Sequence, residues 1–127
     1  MPFTRISLMK GTSADFRKEI GNIVYQAMID TLNVPEKDRF QVITEHDPSG
    51  LIYDPEYLGI QRTNDILFIQ LFLNEGRTVE VKKSFYKEVA DKLHEQLDIR
   101  REDIFINLVE VKKEDWSYGN GIAQYAI

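Results

Sequence analysis

The sequence predicts an α+β fold, with two β-α-β repeats forming a four-stranded mixed sheet and two helices on one face. Three observations lead there. First, the two halves of the 127-residue chain align without a gap at a constant offset of 65 residues. Phe3 meets Phe68, Leu8 meets Leu73, Gly11 meets Gly76, Lys18 meets Lys83, and Val24 meets Val89. Leu32 then meets Leu97, Asp38 meets Asp103, Phe40 meets Phe105, and Glu45 meets Glu110. Second, each half carries its signals in the same order: strand, turn, helix, turn, strand. Third, a strand–helix–strand unit with so short a crossover is parallel and right-handed. Two such units complete one sheet and leave both helices on the same side.

Each element has its own local reason. Residues 2–8 (PFTRISL) and 66–73 (ILFIQLFL) are short runs of strand-forming residues. Each gives way to a Gly just before a Ser/Thr helix start, Gly11 before Thr12 and Ser13, Gly76 before Thr78. The first helix carries Phe16, Ile20, Ile23, Val24, Ala27 and Leu32; the second carries Val81, Phe85, Val89, Leu93 and Leu97. Both sets form one apolar stripe opposite a charged face. Asn33 and Pro35 stop the first helix, and strands follow at 40–45 (FQVITE) and 104–111 (IFINLVEV). The repeat units therefore span about residues 2–45 and 67–111 of a single domain covering 1–127.

Two segments stand outside the repeat. Residues 46–65 form a long irregular stretch, either a functional loop or a surface flap. Residues 117–127 (SYGNGIAQYAI) are too short and Gly-broken for a third unit. They read as a β-hairpin or an arm able to reach a neighbouring subunit. The sheet face away from the helices is uncovered, and a run apolar on both faces, such as 66–73, needs a partner surface. Oligomerisation supplies one.

Composition removes several classes of function. A net charge of −5 with interspersed Lys and Arg argues against nucleic-acid binding, which needs clustered cations. The absence of cysteine excludes disulfides, thiolate metal sites and a Cys nucleophile. His46 and His94 are in no metal-ligand spacing, so no metal is expected. There is no leader pattern, and no apolar run approaches the ~18 residues that span a bilayer. A cytoplasmic protein is the expectation.

Few residues remain that carry chemistry. Pro2 becomes a secondary amine if Met1 is removed. Such an α-amino group titrates near ~8 and is tuned down by burial or a cation and up by a carboxylate, so it can serve as base or acid. Met-Pro is also simply a common beginning. Arg77 follows Gly76 in a strand-to-helix turn, where a guanidinium and a helix start can hold a carboxylate. Its repeat counterpart is Thr12, so the scaffold does not require the charge; a solvated turn Arg is the alternative. Asp38 precedes a strand, as does its counterpart Asp103, which favours a turn or capping role. Arg39 and Arg62 are weaker candidates for ion pairing or substrate contact. Trp116, Tyr118 and Tyr125 either line an apolar pocket or pack a subunit interface.

Several motifs taken together resemble a known family. These are Pro at position 2, PEKDRFQ after the first helix, LGIQRT in the long loop, Gly-Arg-Thr before a helix carrying FYK, and EDWSYGNG in the tail. Over essentially its whole length the chain is similar to the malonate semialdehyde decarboxylase-like group of the tautomerase superfamily. The resemblance implies a homotrimer of β-α-β repeat subunits, active sites near subunit interfaces, and no cofactor. It also implies Pro2 as catalytic amine and Asp38 as the carboxylate that keeps the amine protonated or activates water. Arg77 would bind a substrate carboxylate or polarise a carbonyl, with Trp116, Tyr118 and Tyr125 lining the substrate pocket. The family pattern has a second arginine two positions before Arg77, and this chain has Glu75 there. The leading expectation is a cofactor-independent tautomerase-like enzyme for a small 2-oxo or 3-oxo acid. A 3-oxo-acid decarboxylase and a non-catalytic oligomeric binding protein are the alternatives.

Overall fold

The structure is a computed structural model that describes residues 2–126. In chain order the elements are β1 (Phe3–Met9), α1 (Ala14–Leu32), β2 (Phe40–His46), β3 (Leu67–Asn74), α2 (Val79–Leu97) and β4 (Ile104–Val111). They form one sheet of order β2-β1-β3-β4. β1 pairs β2 in parallel, β3 pairs β4 in parallel, and β1 pairs β3 antiparallel. This is the predicted pair of β-α-β units joined back to back in a mixed sheet. No helix among the described residues is long and apolar enough to cross a membrane.

The helix ends repeat as faithfully as the strands. Ser13 caps α1 by accepting from the Phe16 N–H, and Thr78 caps α2 by accepting from the Val81 N–H. The helices stop at Asn33 and Asp98, repeat counterparts that both take the left-handed conformation, with φ of 57° and 55°. Asn and Asp are the non-glycine residues that tolerate it best.

Alternation along the strands sorts the side chains. Ile6 and Leu8 of β1 and Leu67, Ile69, Leu71 and Leu73 of β3 are buried beneath the helices. Ile20, Val24, Met28 and Leu32 of α1 and Phe85, Val89 and Leu93 of α2 close the core from above. The opposite sheet face has no covering layer within the chain. Phe3, Phe40 and Phe72 stand level across it at one end, and Phe68 and Phe105 stand side by side nearer the other. Phe40 and Phe105 are about half exposed. Between the phenylalanine rows runs a polar row, Arg5, Gln70 and Asn107, in which the Gln70 amide donates to Asn107 at 2.9 Å.

The tail differs from one of its two expected forms. Residues 117–126 run as turns without a strand. Gly119, Asn120 and Gly121 turn the chain, with successive φ values of 142°, 62° and 69°, but no strand flanks that turn within 117–126, so no hairpin ladder forms there.

A repeated ionic clasp locks each strand-to-helix turn. Glu45, at the end of β2, accepts from the Gly11 and Thr12 N–H groups and the Thr12 hydroxyl, and pairs with Arg17 at 3.1 Å. Its counterpart Glu110 accepts from the Gly76 N–H and pairs with Lys82 at 2.8 Å. Hydrogen bonding to Thr12 above all holds the Glu45 carboxyl below its ordinary value. The Lys82 ammonium, then the Gly76 N–H, does the same for Glu110. A depressed carboxyl stabilises the fold above its unfolded pKa of ~4.3, and that contribution is lost as pH falls through the lower folded value. Glu45→Gln and Glu110→Gln are therefore expected to lower the thermal midpoint at pH 7. The deficit against the parent protein shrinks below about pH 4.3, as calorimetry across pH checks. Phe85→Ala, which empties a fully buried position, is expected to cost about 3–5 kcal/mol in urea unfolding.

Candidate active site

Strand direction decides which residues can meet. Phe3 is level with both Phe40 and Phe72, and Asn74 with Val111. The starts of β1 and β2 and the ends of β3 and β4 thus lie at one end of the sheet. Pro2, Asp38, the turn 74–77 and the tail from residue 112 onward converge there. Pro2 is buried at the head of β1.

Arg77 is anchored across the two repeats. Its Nε and Nη2 donate to the Leu32 carbonyl at the end of α1, at 3.2 and 2.9 Å. Its Nη1 donates to the Asn74 carbonyl at 3.1 Å. A guanidinium has five N–H donors in a fixed fork, so these contacts leave one N–H on each terminal nitrogen. Burial lowers the Arg77 pKa, with Glu110 opposing, yet a guanidinium stays charged across the physiological range.

The two repeat-related aspartates have different surroundings. Asp103 is fully buried and accepts from the Thr63 N–H and hydroxyl, both at 2.7 Å, and from Arg100 at 3.4 Å. That is the capping role expected for both. Asp38, only 4% exposed, has no hydrogen-bond partner on either carboxylate oxygen among the described residues. No capping contact accounts for it, which corrects the expectation at this position. Burial pushes its carboxyl above the ordinary range.

The aromatic tail closes the same end. The Trp116 indole N–H donates to Asn74 Oδ1 at 2.7 Å, tying the tail to β3. Its ring stacks on Tyr118, with centroids 5.4 Å apart and planes 10° apart. Tyr118 in turn meets Phe40 of β2 at 6.0 Å and Tyr125 edge-on at 5.6 Å. Since β1 lies between β3 and β2, this strap passes across the head of β1. The Tyr118 hydroxyl is buried without a partner among the described residues. Burial first, then Tyr125 and Asp38, raise its pKa, so the phenol stays protonated.

Arg62 is not part of this gathering. It lies in the loop from the end of β2 to the start of β3, at the other end of the sheet. There its Nη1 donates to the carbonyls of Asp54, Tyr57 and Ile60, pinning its own loop. Within one subunit Arg62 therefore lies at the end of the sheet away from Pro2 and Arg77. Arg39 is likewise engaged, donating to Asn22 and Gln41 and lying over the Tyr25 ring. The residue that sequence reading passed over is Asn74, although its repeat counterpart is the apolar Met9, the same kind of asymmetry that marks Arg77. A cavity of about 270 Å³ beside Trp116 opens on the uncovered sheet face, between Phe3, Arg5, Phe72 and Val111. A larger one of about 680 Å³ lies at the opposite end, against Gly11–Ser13 and Leu97–Arg100, away from all these groups.

Known proteins share this fold. A family model described as tautomerase enzyme matches residues 38–119, and a second of the same description matches residues 2–61. A probable tautomerase of Bacillus subtilis (strain 168), YusQ, is 43% identical over 98% of both chains. FG41 malonate semialdehyde decarboxylase, solved with the inhibitor 3-bromopropiolate, is 36% identical with a TM-score of 0.90, over 97% of this chain and 93% of that one. A malonate semialdehyde decarboxylase solved in wild-type, proline-to-alanine variant and inactivated forms, as a basis for its decarboxylase and hydratase activities, is 28% identical. Its TM-score is also 0.90, over 97% of this chain and 95% of that one. The chain belongs to the tautomerase superfamily, as an enzyme of its malonate semialdehyde decarboxylase-like group.

Proposed function

We propose that the protein is a cofactor-independent tautomerase acting on a small 2-oxo or 3-oxo acid, with the Pro2 amine as the proton carrier. The observation that carries this reading is the buried carboxylate of Asp38, which has no hydrogen-bond partner among the described residues, at the strand end shared with Pro2. A buried anion without a donor is costly, and an amine exposed by removal of Met1 supplies the missing donor. With Met1 attached, Pro2 is an amide and can neither give nor take a proton.

The chemistry then follows from the groups at hand. The two remaining N–H groups of Arg77 hold the substrate carboxylate or the enolate oxygen as charge develops on it. In ketonisation of an enol, the amine accepts the proton from the enol oxygen and returns it to the adjacent carbon. The strap of Trp116, Tyr118 and Tyr125 supplies an apolar wall for the substrate. A homotrimer covering the exposed phenylalanine rows completes the assembly, since a sheet face of this kind is unstable alone in water.

A second reading, decarboxylation of a 3-oxo acid, is favoured by the 36% identity and 0.90 TM-score to FG41 malonate semialdehyde decarboxylase. Against it stands Glu75, exposed beside the Arg77 turn where the family pattern has an arginine. The two readings need opposite forms of the amine, neutral for isomerisation and protonated for decarboxylation.

Pro2→Ala, in protein freed of Met1, is expected to lower kcat/KM for phenylenolpyruvate by about 10²–10⁴-fold; unchanged turnover would remove the amine from the mechanism. Asp38→Asn takes an anion away from the amine and so lowers the amine's pKa. For isomerisation the acidic limb of the pH–rate profile then moves to lower pH. For malonate semialdehyde decarboxylation the same substitution instead depresses the rate at neutral pH. Profiles with the two substrates distinguish the readings.

A further inference from the structure

Among the described residues, Asn74 is the only one whose side chain bonds the aromatic strap while its own backbone holds the guanidinium. Its Oδ1 accepts from the Trp116 indole at 2.7 Å, and its carbonyl accepts from Arg77 Nη1 at 3.1 Å. One residue thus fixes the distance between the group that grips an anion and the ring that walls the pocket. The repeat shows that the fold does not require it. The equivalent position is Met9, a half-buried apolar residue in a repeat that has Thr12 in place of Arg77 and no aromatic strap. Features kept in both halves, such as the Glu45 and Glu110 clasps, belong to the scaffold. Asn74, Arg77 and Trp116 break the repeat together at one end.

The chemistry of the contact explains why the residue is an amide. Indole N–H is a donor with no acceptor capacity, so it needs an oxygen held at the right height. A hydroxyl here would be shorter, and a carboxylate would set a negative charge beside the site meant for an anion. An amide oxygen serves without charge.

We propose that Asn74 is a positioning residue for substrate binding, acting through Trp116 as a keystone between the strap and the Arg77 turn. This rests on the reading of the strap end as the active site. The protein offers a clean probe, because Trp116 is the sole tryptophan and its emission reports on its surroundings without any turnover.

The test compares Asn74→Leu, Asn74→Asp, Trp116→Phe and the double variant Asn74→Leu/Trp116→Phe, all freed of Met1. Asn74→Leu is expected to move Trp116 emission to longer wavelength as the ring is released to water. Asn74→Asp keeps an acceptor oxygen and is expected to retain the parent emission. With phenylenolpyruvate, Asn74→Leu and Trp116→Phe are each expected to raise KM about tenfold with kcat changed much less. The double variant is expected to be no worse than the poorer single one, since both remove the same contact. Unchanged emission in Asn74→Leu, or emission in Asn74→Asp that follows the Leu variant, overturns the clasp itself. An unchanged KM, or additive losses in the double variant, overturns the positioning role. Failure of the amine mechanism shows instead in Pro2→Ala, which leaves Trp116 emission unaltered.

Discussion

Antiparallel pairing of β1 with β3, through six register pairs from Phe3–Phe72 to Leu8–Leu67, is the constraint on which everything else rests. Each β-α-β unit alone is parallel and has its strand heads at one end and its strand tails at the other. Joining the units antiparallel sets the heads of one beside the tails of the other. Only that arrangement brings a residue that opens the chain, Pro2, to the same end as a turn in the second repeat, 74–77, and a tail that follows the last strand. A parallel junction would send Arg77 and Trp116 to the far side of the molecule.

Duplication also separates what the fold needs from what the site needs. Caps, left-handed helix ends and carboxylate clasps recur at the 65-residue offset because every helix has orphan N–H groups at its start and orphan carbonyls at its end to satisfy. The departures collect at one end: Arg77 against Thr12, Asn74 against Met9, and a carboxylate at 38 stripped of the donors that serve its twin at 103. The opposite end carries a larger cavity, yet the two cations that line it are engaged elsewhere, Lys10 with Asp47 and Arg100 with Asp103.

Much of this was legible in the sequence, and the remainder has identifiable reasons. The strands and helices were readable because their apolar spacing is local and strong, down to Asn33 as a stop. The difference between Asp38 and Asp103 was not, because the donors to Asp103 come from Thr63, 40 residues away, on a loop whose path no local pattern fixes. Arg62 sits in that same loop; its motif was visible but the end of the sheet it occupies was not. The tail was readable as an appendage, but the absence of any strand within 117–126 around its Gly119–Gly121 turn is a property only the folded chain displays. Asn74 carried a usable signal in its mismatch with Met9, though a lone Asn at a strand end also fits an ordinary turn.

The unserved carboxylate at 38 has an evolutionary consequence. A buried acid with no donor to either oxygen among the described residues costs the fold wherever the Pro2 amine is not freed, and an amide or apolar replacement relieves that. On the proposed mechanism, selection for heat resistance and selection for turnover therefore pull this position in opposite directions. In a lineage that stops using the reaction, residue 38 is among the first places where drift and stability agree, and a sequence that has lost its aspartate there while keeping both clasps would mark a retired enzyme on an intact scaffold.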